Sequence, residues 1–585
     1  MNDELEKLKG DVKLPLSVIV KRTLKYIKPE MKSFILSLLL LILNVVLDSI
    51  SPIFTSKITD ALVVENINIK YILILVITSF VITILNQIFL YIESNVLQNC
   101  GQRIIFRLRQ EIFEHIENMS LNQFNDMPVG SLVTRVTTYT ANMSDLFTGV
   151  LVRILKDITT IISVYAIMFY ISPSLSFSMI SVVLIVFVSS FIFSKIVKTF
   201  FRKERACVSD LNTFLSENLS GMKLTQIFNQ EKIKDEQFIE KNNNLSRQTF
   251  NVIKCFGIYR PFISLVYTCS LALCFALGVK YQLSAGEIVA YYLYLSKFFN
   301  PVQNLADQLN SLQRAFTASE RLFNLLDVEP DVLDKPDAIE IDKFEGRIEF
   351  KHVWFAYKGL NWILKDVSFT IEPKQTCAFV GATGAGKTTI LSLIVRNYEV
   401  QKGEILIDGI NINDIKISSL RKAIGQMLQD VFLFSGSIKS NITLHDDSFS
   451  DEEVLDACRY VNADSFIDKM PSGINEEIIE KGENLSQGQR QLLSFARTVI
   501  HKPQILILDE ATANIDTETE VLIQESLEKM KSIGTMLVVA HRLSTIQHAD
   551  QIIVLQNGEV IETGNHQELL KKKGYYYKLY QLQFE

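Results

Sequence analysis

The chain has 585 residues, which is enough for more than one domain. Hydrophobic residues make up 48 % of the sequence and its mean hydropathy is +0.19, a high value for a soluble protein. The formal net charge of -6 gives no sign of a nucleic-acid-binding surface, so nucleic acid is not an expected partner. The seven cysteines are scattered without a CxxC pair, and we expect neither a disulfide framework nor a zinc site.

Six apolar runs predict membrane-spanning helices in roughly the first 310 residues. A helix that crosses the hydrocarbon core of a bilayer needs about 20 apolar residues. A buried core helix would explain any single run, but six long runs in one half of the chain favour a membrane domain. The runs are 33–54, 71–91, 158–171 with an extension towards the N-terminus, 175–196, 256–279 and 286–302.

The third and sixth runs are the least regular of the six. Charged residues from Arg153 to Asp157 stand at the start of the third run, and Lys297 and Pro301 interrupt the sixth. Polar side chains at membrane depth usually face a cavity or a partner. We expect helix pairing or an interfacial position more often than substrate contact for Asp48, Asn86, Glu93, Arg260, Asn304 and Asp307.

The distribution of lysine and arginine predicts the orientation in the membrane. These residues are concentrated before the first run and in the long connections 92–150 and 197–255. Positive charge marks the cytoplasmic side, so we expect the N-terminus and both long connections there. The charged first residues lack the apolar core of a signal peptide, and insertion through internal helices is expected.

Both long connections have apolar residues at helical spacing and should continue as helices beyond the membrane. Turn-prone stretches interrupt them at 124–130 and 218–221. These breaks should form tips that contact a second domain. A solvated helical hairpin without a partner is the alternative.

The second half of the chain has a different texture. Residues 326–345 are acidic, contain two prolines and lack helical periodicity, which is typical of a linker. From Arg347 onwards, short β-rich runs alternate with helical stretches and predict an α/β domain. The predicted organisation is therefore an N-terminal segment 1–32, a membrane domain 33–325, a linker 326–345 and an α/β domain 346–585.

The segment 381–388 reads Gly-Ala-Thr-Gly-Ala-Gly-Lys-Thr and fits a phosphate-binding P-loop. It lies between an apolar strand-like run and a helical run, which is the context this loop requires. The glycines let backbone N–H groups close around phosphates, and the helix N-terminus adds positive potential. Lys387 can reach the β- and γ-phosphates, and the Thr388 hydroxyl can bind Mg²⁺.

Two further motifs strengthen this interpretation. The apolar run 505–508 ends in two carboxylates, of which Asp509 can hold Mg²⁺ and Glu510 can polarise an attacking water. The segment 484–490 places Ser486 at a helix N-cap, with the flexible Gly488 beside it. Each motif alone is compatible with an ordinary strand end or a capped helix, but both accompany a P-loop.

With these motifs the chain resembles the ATP-binding cassette (ABC) transporters, and the resemblance covers nearly all of it. By this resemblance the Q-loop is at Gln429, the signature at 485–489, the D-loop at 513–516 and the switch histidine at His541. A membrane domain fused to a cassette is similar to the multidrug-type exporters, since importers usually keep these domains on separate chains. The resemblance implies an α-helical transmembrane domain of six spans fused to an α/β P-loop nucleotide-binding domain.

The resemblance also implies ATP and Mg²⁺ as cofactors. The implied metal-binding residues are Thr388, Gln429 and Asp509. The implied catalytic residues are Glu510 as general base, with His541, Lys387 and Gln429. Tyr357 is implied to stack on adenine, and the other implied nucleotide-binding residues are Gly381, Ala382, Thr383, Gly384, Ala385, Gly386, Lys387, Thr388, Thr389, Ser486, Gly488, Gln489 and Asp516.

Two cassettes of this family dimerise head to tail, so that each ATP lies between one P-loop and the signature of the other chain. The signature usually has glycine where this chain has Gln487, and Asn514 replaces a small residue in the D-loop. Side-chain bulk beside the γ-phosphate would weaken the partner's site. We therefore favour a heterodimer with a second half-transporter over a homodimer that tolerates glutamine.

The leading functional hypothesis is ATP-driven export of amphipathic drugs or lipids across the cell membrane, with the cassette on the cytoplasmic side. An ATP-gated channel or nucleotide sensor is the alternative, but a pure sensor needs no general base such as Glu510. A peptide exporter with its own protease is disfavoured because only about 32 residues precede the first run.

Overall fold

The computed structural model describes residues 13–64, 67–428, 430–509, 517–539 and 546–584. It divides into two compact units. The helical unit comprises Met1–Glu117 with Met127–Val328, and the α/β unit comprises Asn118–Asp126 with Glu329–Glu585.

Long helices dominate the first 328 residues. In chain order, the helices are α1 (Leu16–Ile27), α2 (Met31–Val63), α3 (Ile69–Glu117), α4 (Leu121–Asn125), α5 (Val129–Ile171), α6 (Pro173–Ser220), α7 (Met222–Ile227), α8 (Glu231–Lys280) and α9 (Ala285–Leu326). Helix α4 belongs to the α/β unit and the others to the helical unit.

In the described part of the chain, five helical segments are long and apolar enough to cross a membrane: Ser17–Val63, Ile69–Glu117, Val129–Ile171, Pro173–Ser220 and Glu231–Lys280. They contain the first five predicted spans. The sixth predicted span lies in α9, which is not one of these five segments, so a sixth crossing stays a prediction.

Local sequence signals explain where these helices begin. Ser172 caps α6, and Pro173 occupies the first helical position, where its missing N–H costs nothing. Ser284 and Glu287 form a reciprocal capping box at the start of α9. The short connection between α5 and α6 and the sharp start of α9 follow from these caps.

The helical unit packs its interior around buried tyrosines and exposes apolar side chains outside. The Tyr291 hydroxyl donates to the Ser172 carbonyl oxygen at 2.8 Å, and the Tyr294 hydroxyl donates to the Ser49 carbonyl oxygen at 2.7 Å. Leu39, Leu73 and Phe187 are each more than half exposed. Apolar side chains on the outer faces of long helices are suited to contact with lipid tails.

Two of the polar residues expected to pair between helices do so. The Lys297 ammonium of α9 lies 2.5 Å from a carboxylate oxygen of Asp48 on α2. The Asn44 amide of α2 donates to the buried Glu93 carboxylate of α3 at 2.7 Å. Such pairing lowers the cost of placing polar groups among apolar helices. The Asp307 side chain lies outside the described residues.

The α/β unit is built on two main sheets. Its strands are β1 (Ile348–Phe355), β2 (Leu364–Ile371), β3 (Thr376–Gly381), β4 (Lys402–Ile407), β5 (Ile410–Asn411), β6 (Ile424–Met427), β7 (Gly436–Ser437), β8 (Glu477–Ile478), β9 (Ile505–Asp509), β10 (Thr535–Val539), β11 (Gln551–Gln556) and β12 (Glu559–Gly564). A four-stranded sheet has the order β2-β1-β4-β5, and a six-stranded sheet has the order β12-β11-β3-β10-β9-β6.

In the described residues after 386, the α/β unit also contains a series of α-helices. They are α10 (Lys387–Ile394), α11 (Ile417–Ala423), α12 (Ile438–Thr443), α13 (Asp451–Tyr460), α14 (Asp464–Ile467), α15 (Gln487–Ile500), α16 (Thr517–Met530), α17 (His566–Lys572) and α18 (Tyr575–Phe584).

The central strands of the larger sheet run parallel, and their apolar sequences reflect burial on both faces. In the register, Val539 of β10 pairs with Phe379 of β3 on one side and with Asp509 of β9 on the other. The carboxyl ends of β3 and β9 therefore lie at the same edge of the sheet. This edge is where ligands bind in open parallel sheets.

Candidate nucleotide-binding site

The loop 381–386 leaves β3 at this edge and leads into α10. Gly384 and Gly386 have φ values of +83° and +102°, a region that side chains disfavour. Gly386 is the N-cap of α10 and makes no side-chain capping bond. The backbone amides at the start of α10 therefore have no side-chain acceptor at the cap, which fits a site for phosphate oxygens.

The Lys387 side chain lies across the mouth of this loop and is 7 % exposed. Its ammonium donates to the carbonyl oxygens of Gly381 at 2.7 Å and of Ala382 at 3.1 Å. Burial lowers the pKa of Lys387, and the nearby Asp509 carboxylate partly opposes this shift. The structure thus brings the Lys387 ammonium of the P-loop close to the Asp509 carboxylate at the end of β9. The sequence predicts that the first binds phosphate and the second binds metal.

The hydroxyl groups of Thr388 and Thr389 differ in their surroundings. Thr388 is exposed, whereas Thr389 is buried. The Thr389 hydroxyl oxygen lies 3.0 Å from the hydroxyl oxygen of Tyr357. The nucleotide contact of Thr389 stays a prediction, and in this structure its hydroxyl is in hydrogen-bond contact with the hydroxyl of Tyr357.

Tyr357 is partly exposed beside the P-loop helix. Its ring meets Phe355 edge-on at 4.9 Å between centroids and Tyr398 edge-on at 5.1 Å. A ring fixed on two sides in this way loses little entropy when a flat ligand stacks on it. Tyr398 was missed in the sequence because it belongs to no motif and reaches Tyr357 only through folding.

The signature residues sit at the start of α15. The Ser486 hydroxyl accepts from the Gln489 N–H at 3.2 Å, and the Gln489 side chain accepts from the Ser486 N–H at 2.9 Å. Gln487 is exposed at the first helical position, and Gly488 is buried. Leu485 packs in one hydrophobic core, whereas Ala385 and Ile390 of the P-loop and its helix pack in another.

Four expected site residues lie outside the described part of the chain: Gln429, Glu510, Asp516 and His541. In sequence, Glu510 directly follows the last residue of β9, and His541 is two residues beyond the end of β10. Their predicted roles remain predictions.

The short helix α4 and the residues that flank it contact other parts of the α/β unit, close to Tyr357. The Gln123 amide donates to the Glu329 carbonyl oxygen at 2.7 Å, and Gln123 is buried. The Lys358 ammonium lies 3.2 Å from a carboxylate oxygen of Asp126. Burial raises the pKa of Tyr398, and a hydrogen bond with the Asn125 side chain opposes this shift. Residues 118–126 therefore form part of the α/β unit although they stand between long helices in sequence.

Comparisons with known proteins agree with this architecture. Residues 34–302 match the ABC transporter transmembrane region, and residues 364–513 match the ABC transporter domain. The chain is 38 % identical over 85 % of its length to a probable multidrug resistance ABC transporter ATP-binding/permease protein of Bacillus subtilis (strain 168), 74 % of which is covered. It is 33 % identical over 85 % of its length to an ATP-dependent lipid A-core flippase of Syntrophus aciditrophicus (strain SB), 83 % of which is covered.

A solved structure of a bacterial Atm1-family ABC exporter with ATP bound superposes with a TM-score of 0.79 at 25 % identity, covering 95 % of this chain and 98 % of that one. The fold and the site define a membrane-spanning exporter with a fused ATP-binding domain. The chain belongs to the ABC transporter family, and its relatives are exporters of the multidrug and lipid type.

Proposed function

We propose that this protein exports amphipathic drugs or lipids across the cell membrane as one half of a dimeric ABC exporter. The observation that carries this proposal is a P-loop with a buried lysine beside Asp509, in a chain whose other unit has five helical segments able to cross a membrane. The relatives that act on drugs and on a lipid support the choice of substrate class.

The residues of the site divide the work of binding and hydrolysis. The backbone of 381–388 holds the phosphates, and the Lys387 ammonium exchanges its two carbonyl partners for phosphate oxygens. Thr388, Gln429 and Asp509 would hold Mg²⁺, which would neutralise phosphate charge. Glu510 is proposed to polarise the attacking water, and His541 is proposed to stabilise, with Lys387, the charge that develops during hydrolysis.

The adenine end is formed by Tyr357, whose ring is held by Phe355, Tyr398 and the Thr389 hydroxyl. The signature residues Ser486, Gly488 and Gln489, together with Asp516, act on the nucleotide of the second chain. Closure of the two cassettes on shared ATP supplies the free energy for movement, and hydrolysis reopens them.

We further propose a heterodimer. Gln487 is exposed at the first position of α15, where its side chain stands next to the signature hydroxyl that approaches the partner's ATP. A second chain with a glycine signature and an altered general base would complement this half. A homodimer is the competing assembly, and the number of competent sites distinguishes the two.

The cassette and both long helical connections are proposed to be cytoplasmic, following the positive-inside distribution of lysine and arginine. Helix α4 is proposed to pass cassette movement to the membrane helices, because Gln123 and Asp126 fix it to the α/β unit. The proposed domains are 1–32, 33–325, 326–345 and 346–585, although residues 329–345 already pack with the α/β unit.

Reconstitution into vesicles tests the proposal. ATP-dependent uptake of fluorescent amphiphiles should occur with the wild-type complex and stop in Glu510→Gln, which should still bind ATP. Lys387→Ala should weaken ATP binding about tenfold or more, because charge-assisted hydrogen bonds are lost. Undiminished uptake by Glu510→Gln would refute the general-base role of Glu510, and ATP-dependent ion currents without uptake would indicate a channel.

A further inference from the structure

The helical unit contains a strongly basic cavity that the nucleotide chemistry does not use. Its volume is about 510 Å³, and it lies between α5, α6 and α9. None of the described residues lining it is acidic. Five of the lining side chains are cationic: Lys198, Arg202, Arg205, Arg314 and Arg321.

Neutral groups orient the cations of this cavity. The Arg321 guanidinium donates to the Tyr139 hydroxyl and lies over the Tyr139 ring, 5.5 Å from its centroid. The Arg314 guanidinium donates to the Ser311 hydroxyl at 2.9 Å. In the described residues, no carboxylate forms an ion pair with any of the five cations. Like charges held together without an acid favour the binding of an anion.

The cavity lies just beyond the apolar segments. Lys198 follows the fourth apolar run, 175–196, and Arg314 follows the sixth, 286–302. Lys198 therefore lies at the level of lipid head groups on the side proposed to be cytoplasmic, and Arg314 lies farther from the apolar segments on the same side. The cationic side chains are therefore placed where the charged end of a membrane-dissolved molecule would arrive.

An aromatic wall leads from the cavity towards the apolar segments. Phe201 lines the cavity and meets Phe256 edge-on at 6.3 Å, and Phe256 meets Phe193 edge-on at 5.2 Å. Phe193 belongs to the fourth apolar run and Phe256 to the fifth. The combination offers charge at one end and apolar surface at the other, which matches an amphiphile.

We propose that this cavity binds the head group of an anionic amphiphile, with phosphate or carboxylate as the charged group. Arginine suits both groups because its planar guanidinium forms paired hydrogen bonds with them. Cationic amphiphiles would be repelled. This inference rests on the proposed export function and narrows its substrate class to anions.

Lipid binding by the purified full-length protein, measured without ATP, tests the proposal. Fluorescence anisotropy should show tighter binding of labelled phosphatidylglycerol than of labelled phosphatidylcholine, with the difference decreasing as salt is raised. The double variant Arg202→Gln with Arg314→Gln should weaken phosphatidylglycerol binding about tenfold or more. Equal binding of both lipids by the wild-type protein would overturn the proposal.

Two control variants separate the cavity from general surface charge. Lys203→Gln removes an exposed cation of the same helix that does not line the cavity, and it should retain phosphatidylglycerol binding. Arg202→Lys with Arg314→Lys keeps the charge but loses the paired hydrogen bonds, so its affinity should lie between those of the wild-type protein and the glutamine double variant. An equal loss in Lys203→Gln and the glutamine double variant would overturn the proposal.

Competition experiments distinguish an amphiphile from a free anion. Inorganic phosphate should fail to displace phosphatidylglycerol at equal concentration, and displacement would overturn the amphiphile assignment. Basal ATP hydrolysis in the same preparations keeps the two proposals apart. Preference for the anionic lipid without ATP-driven uptake would contradict the export proposal but not the cavity proposal. ATP-driven uptake without preference for anions would contradict the cavity proposal but not the export proposal.

Discussion

At the scale of single residues, the side chains of the site are held in position by neighbouring groups. The Lys387 ammonium donates hydrogen bonds to two loop carbonyls. Tyr357 contacts the Thr389 hydroxyl through its own hydroxyl and the Tyr398 ring through its own ring. Such support positions a charge and a ring before nucleotide arrives, so less conformational entropy is lost on binding.

Tyr357 provides a residue-scale prediction. Tyr357→Ala should weaken ATP binding about tenfold, because base stacking on an aromatic ring contributes about 1–3 kcal/mol. Tyr357→Phe should retain most of the affinity, since it loses only the hydroxyl contact with Thr389. Equilibrium binding of a fluorescent ATP analogue measures both. An equal loss in the two variants would mean that the hydroxyl, not the ring, recognises the nucleotide.

At the scale of elements, the signature helix and its cap combine stability with function. Ser486 and Gln489 form a capping box at the start of α15, and Ser450 and Glu453 form the same arrangement at the start of α13. Each serine should therefore contribute a similar amount to the stability of its helix. Only Ser486 belongs to the proposed partner-facing surface.

This symmetry gives a matched pair of variants. Ser486→Ala and Ser450→Ala should each lower the free energy of unfolding by about 1 kcal/mol, measured by thermal denaturation. Only Ser486→Ala should also reduce ATP hydrolysis in the assembled dimer. If both variants reduced hydrolysis equally, the effect would come from stability and the signature role of Ser486 would be wrong.

Helix α4 gives a second prediction at this scale. Gln123→Ala removes the bond to the Glu329 carbonyl oxygen and the reciprocal cap with Ser120. We expect basal ATP hydrolysis to persist while its stimulation by transported amphiphile declines, because movement is no longer passed through α4. Gln110→Ala serves as the control, since Gln110 is exposed on α3. Full stimulation in Gln123→Ala would exclude α4 from coupling.

At the scale of the whole molecule, assembly decides how many ATP sites work. The heterodimer proposal predicts that the chain purified alone hydrolyses ATP slowly and that a second half-transporter raises the rate. Gln487→Gly should raise hydrolysis by the chain alone, because it restores room beside the γ-phosphate of a second copy. Any loss of helix stability from the glycine acts in the opposite direction. Full activity of the unmodified chain alone would establish a competent homodimer.

Features that short segments encode could be predicted from the amino-acid sequence alone. The glycine spacing of 381–388, the N-cap at Ser486 and five apolar runs each specify a local conformation, and the structure confirms the loop, the cap and the helices. The sixth run is interrupted by Lys297 and Pro301, so its apolar character is weaker than that of the other five. Whether it crosses the membrane stays a prediction. Local signals suffice here because the interacting residues are neighbours in the chain.

Contacts between residues that are far apart in the chain became apparent only in the folded structure. It grouped Asn118–Asp126 with the α/β unit, brought Tyr398 against Tyr357 and joined cations from α6 and α9 around one cavity. No motif links these positions, since they are separated by many residues and come together through helix and sheet packing. The positions of the cavity cations and of the Tyr357 and Tyr398 rings depend on this packing. They could not be predicted from residue spacing along the chain.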